Sequence, residues 1–294
     1  MTGGPSLPAT RSPSTRRVSA RRVLKILFPW RIWSRVVYGV AGFIGGLLFL
    51  LALGYLGVYR LTYALDALPD LIQGFEVSLE VVGVILPIGF GLGFLIGWAR
   101  TTRFVILRGL GSVYVDFFRS MPPLALIVFF SLIGALELRG STLNPYTTRN
   151  IALWLGVIAL AFHTAAYQAE IVRAGILSVP TGQTDAADAL GLSRLRTMFV
   201  VTLPQAFRLS LPALGNEFSS SIKDTSLLNA IGWMELSGWS LQEVSYSYKY
   251  HYLYGSLVIW FMAAFLYFVL TYVVTRTVRG IEDLYKVPGL EVAR

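Results

Sequence analysis

Six apolar stretches, at roughly 36–58, 75–98, 113–137, 151–174, 208–233 and 253–275, limit what this chain can fold into. Each is close to the about 20 residues that a helix needs to cross a hydrocarbon core. Inside lipid every backbone N–H and C=O must be satisfied within the span, so runs of this length and number predict a bundle of membrane helices. With 55% of 294 residues hydrophobic and only 14% charged, a soluble domain could not hide the apolar surface. The predicted fold class is therefore an all-α polytopic membrane protein. The apolar core of the first stretch, Val40 to Val58, exceeds the about 7–15 residues of a secretory h-region, and no small-residue cleavage site follows it. It reads as an uncleaved helix.

The net charge of +9 matters less than its placement. Arg11, Arg16, Arg17, Arg21, Arg22, Lys25, Arg31 and Arg35 crowd ahead of the first apolar stretch. An apolar run follows at once, so the reading is a tail against anionic lipid and no nucleic-acid partner. Residues 1–34, rich in Ser, Thr, Pro and Arg, predict a disordered cytoplasmic tail, 35–60 an extra N-terminal membrane helix, and 286–294 a second cytoplasmic tail. With the N-terminus inside, Arg60, Arg139, Arg149 and Lys249 are the basic residues left in outer loops, out of 25 Lys and Arg. That asymmetry assigns 99–112, 175–207, 276–294 and both termini to the cytoplasm. The Trp/Tyr-rich stretch Trp239 to Tyr254 then forms an outer interfacial belt. The absence of cysteine excludes disulfide frameworks and thiolate metal sites.

Residues 176–207 break the pattern with a polar hairpin between two apolar segments. Pro180-Thr181 offers a helix start with Thr181 as N-cap, and Asp185 and Asp188 are expected in the early turns, where carboxylates complement the helix dipole. Ala186, Ala187 and Ala189 keep the helix thin, and Gly191 supplies a left-handed stop. Ser193 caps a second helix carrying Arg194 and Arg196 and running toward Leu203-Pro204. Thin alanine faces admit a partner's backbone, and Leu190, Leu192 and Phe199 stand beside them as apolar anchors. An ordinary connecting hairpin is the other reading of the same pattern.

Asp185-Ala186-Ala187, three residues, Gly191, nine residues, then Val201-Thr202-Leu203-Pro204 resembles the Glu-Ala-Ala loop of ABC importer permeases. Around it Ala166-Tyr167, Ala169-Glu170, Arg173, Gly182-Gln183, Leu203-Pro204-Gln205-Ala206 and Lys223-Asp224-Thr225-Ser226-Leu227 are similar to the branch that imports polar amino acids of the histidine, glutamine and glutamate type. Asp116-Phe117-Phe118-Arg119-Ser120-Met121-Pro122 resembles that branch's acidic-aromatic-Arg-Gly-Thr-Pro element. The resemblance covers about 72–285 and departs at Asp185 for Glu, Ser120-Met121 for Gly-Thr, and the extra N-terminal span. It implies a type I importer permease with a five-helix core in a bacterial or archaeal inner membrane. It also implies coupling to a separate ATP-binding subunit through Asp185, Ala186, Ala187, Gly191, Leu203 and Pro204. An extracytoplasmic solute-binding protein and a second permease subunit, identical or not, complete the assembly it implies.

Polar groups inside the spans point to a solute path. An ionisable residue at the bilayer centre costs about 2.5–3.5 kcal/mol on insertion scales, so Glu217, Lys223 and Asp224 in one segment would cost on the order of 8–10 kcal/mol facing lipid. Helical spacing aligns Asn216, Ser220 and Lys223, with Glu217 and Asp224 alongside, and that face must meet protein or water. A buried ion pair with a neighbouring helix is the alternative for Lys223-Asp224, whereas Asn216 and Glu217 are the stronger path candidates. Arg119-Ser120-Met121-Pro122-Pro123 marks a break: the prolines suit the first turn of a new helix, whose free N–H groups beside Arg119 can seat a carboxylate. Arg119 snorkelling at the inner surface is the competing reading. Glu170 and Arg173 read as an i,i+3 pair, His163 as a packed core residue, and Gly42–Gly46 and Gly89–Gly97 as sites of close helix packing.

None of the lysines, Lys25, Lys223, Lys249 and Lys286, follows a glycine, so a Walker-type loop is missing, and no metal constellation or nucleophile–base pair stands out. The expectation is a transport subunit that is no enzyme and binds no cofactor, with ATP and magnesium held by the partner ATPase. The alternative is an ion-coupled secondary transporter or channel, which broken helices would also serve.

Overall fold

The computed structural model describes residues 40–46, 48–49, 61–138, 143–250 and 255–285. Its described helices from Gly42 onward belong to one compact unit. After a short α1 (Leu61–Asp66) come α2 (Leu68–Ala99), α3 (Val105–Ser120), α4 (Pro123–Glu137) and α5 (Pro145–Leu177). The hairpin follows as α6 (Thr181–Ala189), α7 (Arg194–Thr197) and a π-helical turn, Met198–Thr202. The chain then runs through α8 (Leu203–Asp224), a 3-10 turn (Thr225–Ile231), α9 (Leu236–Lys249) and α10 (Gly255–Tyr285). No strand occurs among the described residues.

Four of the expected spans fall on α2, α5, α8 with its 3-10 extension, and α10, except that 232–233 lie beyond the 3-10 turn and 253–254 outside the described residues. The first, 36–58, and both tails fall largely or wholly outside the described residues, of which 40–46 and 48–49 are helical. The segment 113–137 differs from a single continuous span: it is two helices, α3 and α4, bent by 103°. The cause is local. A residue ahead of proline is driven out of the helical region, and Met121 and Pro122 both precede one; their ψ angles are 139° and 132°. Pro123 then occupies the first position of α4, where its missing N–H costs nothing. Nor is 99–112 a loop throughout, since α3 already begins at Val105.

α5 is the axis of the bundle. More than half of its apolar window is buried, against about a quarter for α2 and for α10. Its run of small residues, including Ala152, Gly156, Ala159, Ala161, Ala165, Ala166 and Ala169, lets neighbours approach from several sides. α2 answers with glycine: a Cβ at Gly93 would stand 2.9 Å from the Ala165 carbonyl oxygen, and one at Gly97 2.5 Å from that of Ala169. Between lipid-facing helices no hydrophobic drive distinguishes packed from exposed, so such close backbone contact and dispersion hold the pair. Of the Gly42–Gly46 stretch, a Cβ at Gly46 would meet the Phe261 ring of α10 at 2.9 Å, whereas one at Gly42 or Gly45 would meet no neighbour among the described residues.

The core is divided by level. Val81 and Ile85 of α2, Ile127 of α4, Val157 and Leu160 of α5 and Leu228 of the 3-10 turn form one cluster. Leu71, Leu236, Val244, Ile259 and Ala263 form another, which seats α9 between α2 and α10. Phe118 and Leu126, flanking the bend, pack on Ala159 and Ala166 and fix its corner against α5.

Candidate functional site

The hairpin end is anchored by Val172, Ile176, Val179 and Ala206, with Phe94, Trp98 and Met198 packed against them. α6 starts one residue earlier than a Thr181 cap would give: Pro180 occupies the cap position and Thr181 is the first helical residue. Consequently no acidic residue lies in the first turn; Asp185 opens the second, and Asp188 sits near the C-terminus, its carbonyl accepting from the Gly191 N–H. Gly191 takes φ 74°, the left-handed conformation, and the Leu192 N–H returns to the Ala187 carbonyl, closing the turn. Ser193 occupies the next cap position without a side-chain capping bond. Ala187 is buried, whereas Asp185, Ala186 and Gly191 are exposed, Leu203 is half-buried and Pro204 is exposed. Leu190, Leu195, Phe199 and Val200 stand out from the surface, more than half exposed each, and Leu192 is half-buried. Phe199 nevertheless touches the bundle, its ring edge-on to Trp98 at 5.5 Å between centres.

The second neighbourhood joins the α3–α4 bend to α5 and α8. Arg119 closes α3; its guanidinium lies over the Tyr167 ring at 5.1 Å and 4.0 Å from Glu170. His163, buried as expected, donates from Nδ1 to the Phe118 carbonyl at 3.0 Å, so the bend is bonded as well as packed to α5. Ser120 is exposed in the corner itself. On α8, Asn216 and Lys223 are exposed and Glu217, Ser220 and Asp224 half-buried. Glu217 lies within electrostatic reach of Asp224 and Arg119, which brings the two predicted groups of path residues together. Neither Lys223 nor Asp224 makes an ion pair among the described residues, and Asp224 lies within electrostatic reach of His163 on α5 and of Lys223. The other α8 hydroxyls are structural: Ser221 meets Thr164 of α5 at 3.3 Å, and Ser219 meets Thr275 of α10 at 2.6 Å.

Two polar centres were not visible in the sequence. The i,i+3 pair Glu170–Arg173 exists, with Arg173 Nη2 at 2.5 Å, but the carboxylate also receives Arg100 Nη1 at 2.5 Å from the turn after α2. Glu170 thereby collects three arginines from three elements. The other centre is Glu235, fully buried. It caps α9 by accepting from the Ser237 and Gly238 N–H groups and binds the hydroxyls of Ser78 on α2, Ser237 and Tyr267 on α10. The only local signal was its position just ahead of a helix; its partners are far apart in sequence. No group of three metal-ligating side chains occurs among the described residues.

Charged and amide side chains gathered on one helix, beside a segment bent by 103°, would be costly facing lipid. The architecture is that of a membrane transport subunit. Residues 89–286 match the model of the binding-protein-dependent transport system inner membrane component family, and the chain belongs to it. It is 32% identical over 221 residues to the glutamine transport system permease protein GlnP of Escherichia coli K12, covering 75% of this chain and 95% of that one. It is 36% identical over 209 residues to the L-cystine transport system permease protein TcyB of Bacillus subtilis 168, covering 71% and 82%. For the octopine transport system permease protein OccM of Rhizobium radiobacter the figures are 33% over 208 residues, 70% and 82%. A crystal structure of an amino acid ABC transporter with histidines superposes with a TM-score of 0.60 at 29% identity, covering 74% of this chain and 95% of that one. The inward-facing MetNI methionine ABC transporter, 22% identical with a TM-score of 0.58, shares the fold. The chain is thus a multi-pass inner-membrane permease subunit of an ABC importer with the type I core, and the ion-coupled alternative finds no support.

Proposed function

We propose that this subunit forms half of the conduit of an ATP-driven importer of polar amino acids. It takes substrate from an extracytoplasmic solute-binding protein and is moved by a separate ATP-binding subunit that grips the 181–204 hairpin. The observation that carries the coupling assignment is the exposure of Leu190, Leu195, Phe199 and Val200 around the thin Asp185-Ala186-Ala187 turn, in a hairpin whose Phe199 also rests on Trp98 of α2. An apolar patch of this kind on a polar loop is otherwise a liability. Gly191, Leu203 and Pro204 frame it. ATP and magnesium sit on the partner, and this chain holds no cofactor of its own. The hairpin and both termini face the cytoplasm, following the basic-residue asymmetry.

Arg119, Ser120, Asn216, Glu217, Ser220, Lys223 and Asp224 line the path. Their mixed charges suit the zwitterionic head of an amino acid, with Arg119 and Lys223 toward its carboxylate and Glu217 and Asp224 toward its ammonium. The exposed edge of α8 at Asn216 and Lys223 then faces a second permease subunit across the path. The cargo class rests on the glutamine and cystine systems among the relatives. Proteoliposomes holding the permease, its ATPase and the cognate binding protein should accumulate labelled polar amino acid when given ATP. Accumulation by this chain alone on an ionic gradient would overturn the reading.

A further inference from the structure

An apolar groove of about 330 Å³ lies between the end of α2 and the start of α3, walled by Leu95, Ala99, Leu107, Leu110 and Tyr114. That is the low end of the about 300–1,000 Å³ of small-molecule sites, room for part of an acyl chain rather than a folded partner. Leu95 and Leu110 are more than half exposed, and Ile106 and Val113 extend the same apolar surface outward.

Charge borders one end of the groove. Arg100 runs along its floor, where a Cβ on Gly111 would meet Arg100 Cγ at 2.9 Å, and its Nε donates to Ser112 at 3.3 Å. Its charge is matched by Glu170. Arg103, in the turn, and Arg108, one helical turn before Ser112, are exposed and make no ion pair among the described residues. The first turn of α3 carries no acid, and no side chain caps it, so nothing there offsets the two cations. Asp116, the first acid along α3, stands two turns beyond Arg108.

We infer that this groove is a binding site for an anionic phospholipid, with an acyl chain along Leu95, Leu107 and Leu110 and the phosphate held by Arg103 and Arg108. Apolar wall and cations meet in the stretch that follows Trp98, which touches Phe199 of the hairpin; the basic-residue asymmetry assigns 99–112 to the cytoplasmic side, the level at which headgroup phosphates stand. An occupant here touches α2, α3 and, through Arg100, the Glu170 cluster, so the lipid braces the side of the bundle that carries the bend.

The test uses the full chain in phosphatidylcholine vesicles containing a minority of phosphatidylglycerol with a photoreactive acyl chain. Cross-links are expected within 95–114, at least about fivefold weaker for Arg103→Gln/Arg108→Gln, given the contribution of one basic residue near an anionic surface. Arg108→Lys should retain the label, and Ala99→Phe, which fills the groove, should lose it. Equal labelling of wild type by photoreactive phosphatidylcholine would reduce the groove to generic lipid surface and overturn the proposal. So would displacement of the label by inorganic phosphate, which would mean a free-anion site. The chain lacks cysteine, so Leu110→Cys can be introduced alone; a disulfide between copies in the membrane would assign the groove to a second subunit and also overturn it.

Discussion

Arg100 Nη1 lies 2.5 Å from Glu170 Oε2, a bond spanning 70 residues that ties the turn after α2 to the last third of α5. Arg173 holds the other oxygen, and Arg119 approaches from the bend at 4.0 Å. One carboxylate therefore registers three helices at the level where the hairpin leaves the bundle.

Glu170→Gln should remove the charge that these arginines share and cost on the order of 2 kcal/mol, as for a charged hydrogen-bond acceptor in a partly exposed site. The readout is the thermal midpoint of the purified permease, expected to fall by several degrees. Arg100→Lys should lower it less, because the ammonium keeps the charge but cannot span both Glu170 and Ser112. An unchanged midpoint for Glu170→Gln would show that the cluster is not a structural tie.

Gly97→Ala should be disruptive out of proportion to its size. The added methyl would lie 2.5 Å from the Ala169 carbonyl oxygen, a backbone atom that cannot swing away, so α2 must shift at a cost of about 1–3 kcal/mol. Gly91→Ala is the control on the same helix: its Cβ meets nothing within 4 Å, and the change should be neutral or stabilising by up to about 1 kcal/mol. Equal effects in thermal unfolding would contradict the α2–α5 glycine contact.

Gly191→Val places a β-branched residue at φ 74°, which costs about 1–2 kcal/mol and opens the turn that orients Leu190. Co-purification of the ATPase and substrate uptake should both fall sharply, while the membrane bundle stays folded. Gly191→Asn, tolerant of the left-handed region, should retain most coupling.

Asn216→Leu and Glu217→Leu should impair uptake while leaving the assembly intact, since among the described residues neither ties α8 to another helix through a side-chain bond of the kind made by Ser219 or Ser221. ATPase co-purification measures the assembly and substrate flux the path; wild-type flux would remove both residues from it.

Glu243, on α9 outside the membrane spans, is pushed above the usual glutamate range near 4.5 by burial and then by its hydrogen bond with Asp70. A raised carboxyl is more at ease protonated in the fold, so its contribution is present below the ordinary value and lost as pH rises through the raised one. The thermal midpoint should decline over that window, and Glu243→Gln should flatten the decline. A profile identical in wild type and variant would show that α9 docks independently of this proton.

The sequence was most legible where the rule is local. A bilayer demands runs of about 20 apolar residues, so α2, α5, α8 and α10 could be placed from length and hydropathy. Pro122-Pro123 announced the break between α3 and α4, because proline acts on its immediate neighbours, and Gly191 announced its own left-handed turn. The angle was a different matter: 103° depends on Phe118 and Leu126 packing on α5. Thr181 as cap failed by one residue for a related reason, since Pro180 already stands in the extended conformation that a cap requires.

The amino-acid order alone determined that this is a helical membrane bundle, where most of its helices run, where one of them breaks, and that a polar hairpin interrupts it. Tertiary structure alone decided which helix is central, that Arg100 completes Glu170, and that Glu235 joins α2, α9 and α10. The division is physical. Backbone satisfaction in lipid and proline sterics act within a few residues, whereas charge neutralisation and glycine-mediated contact act between segments that only the folded bundle brings together.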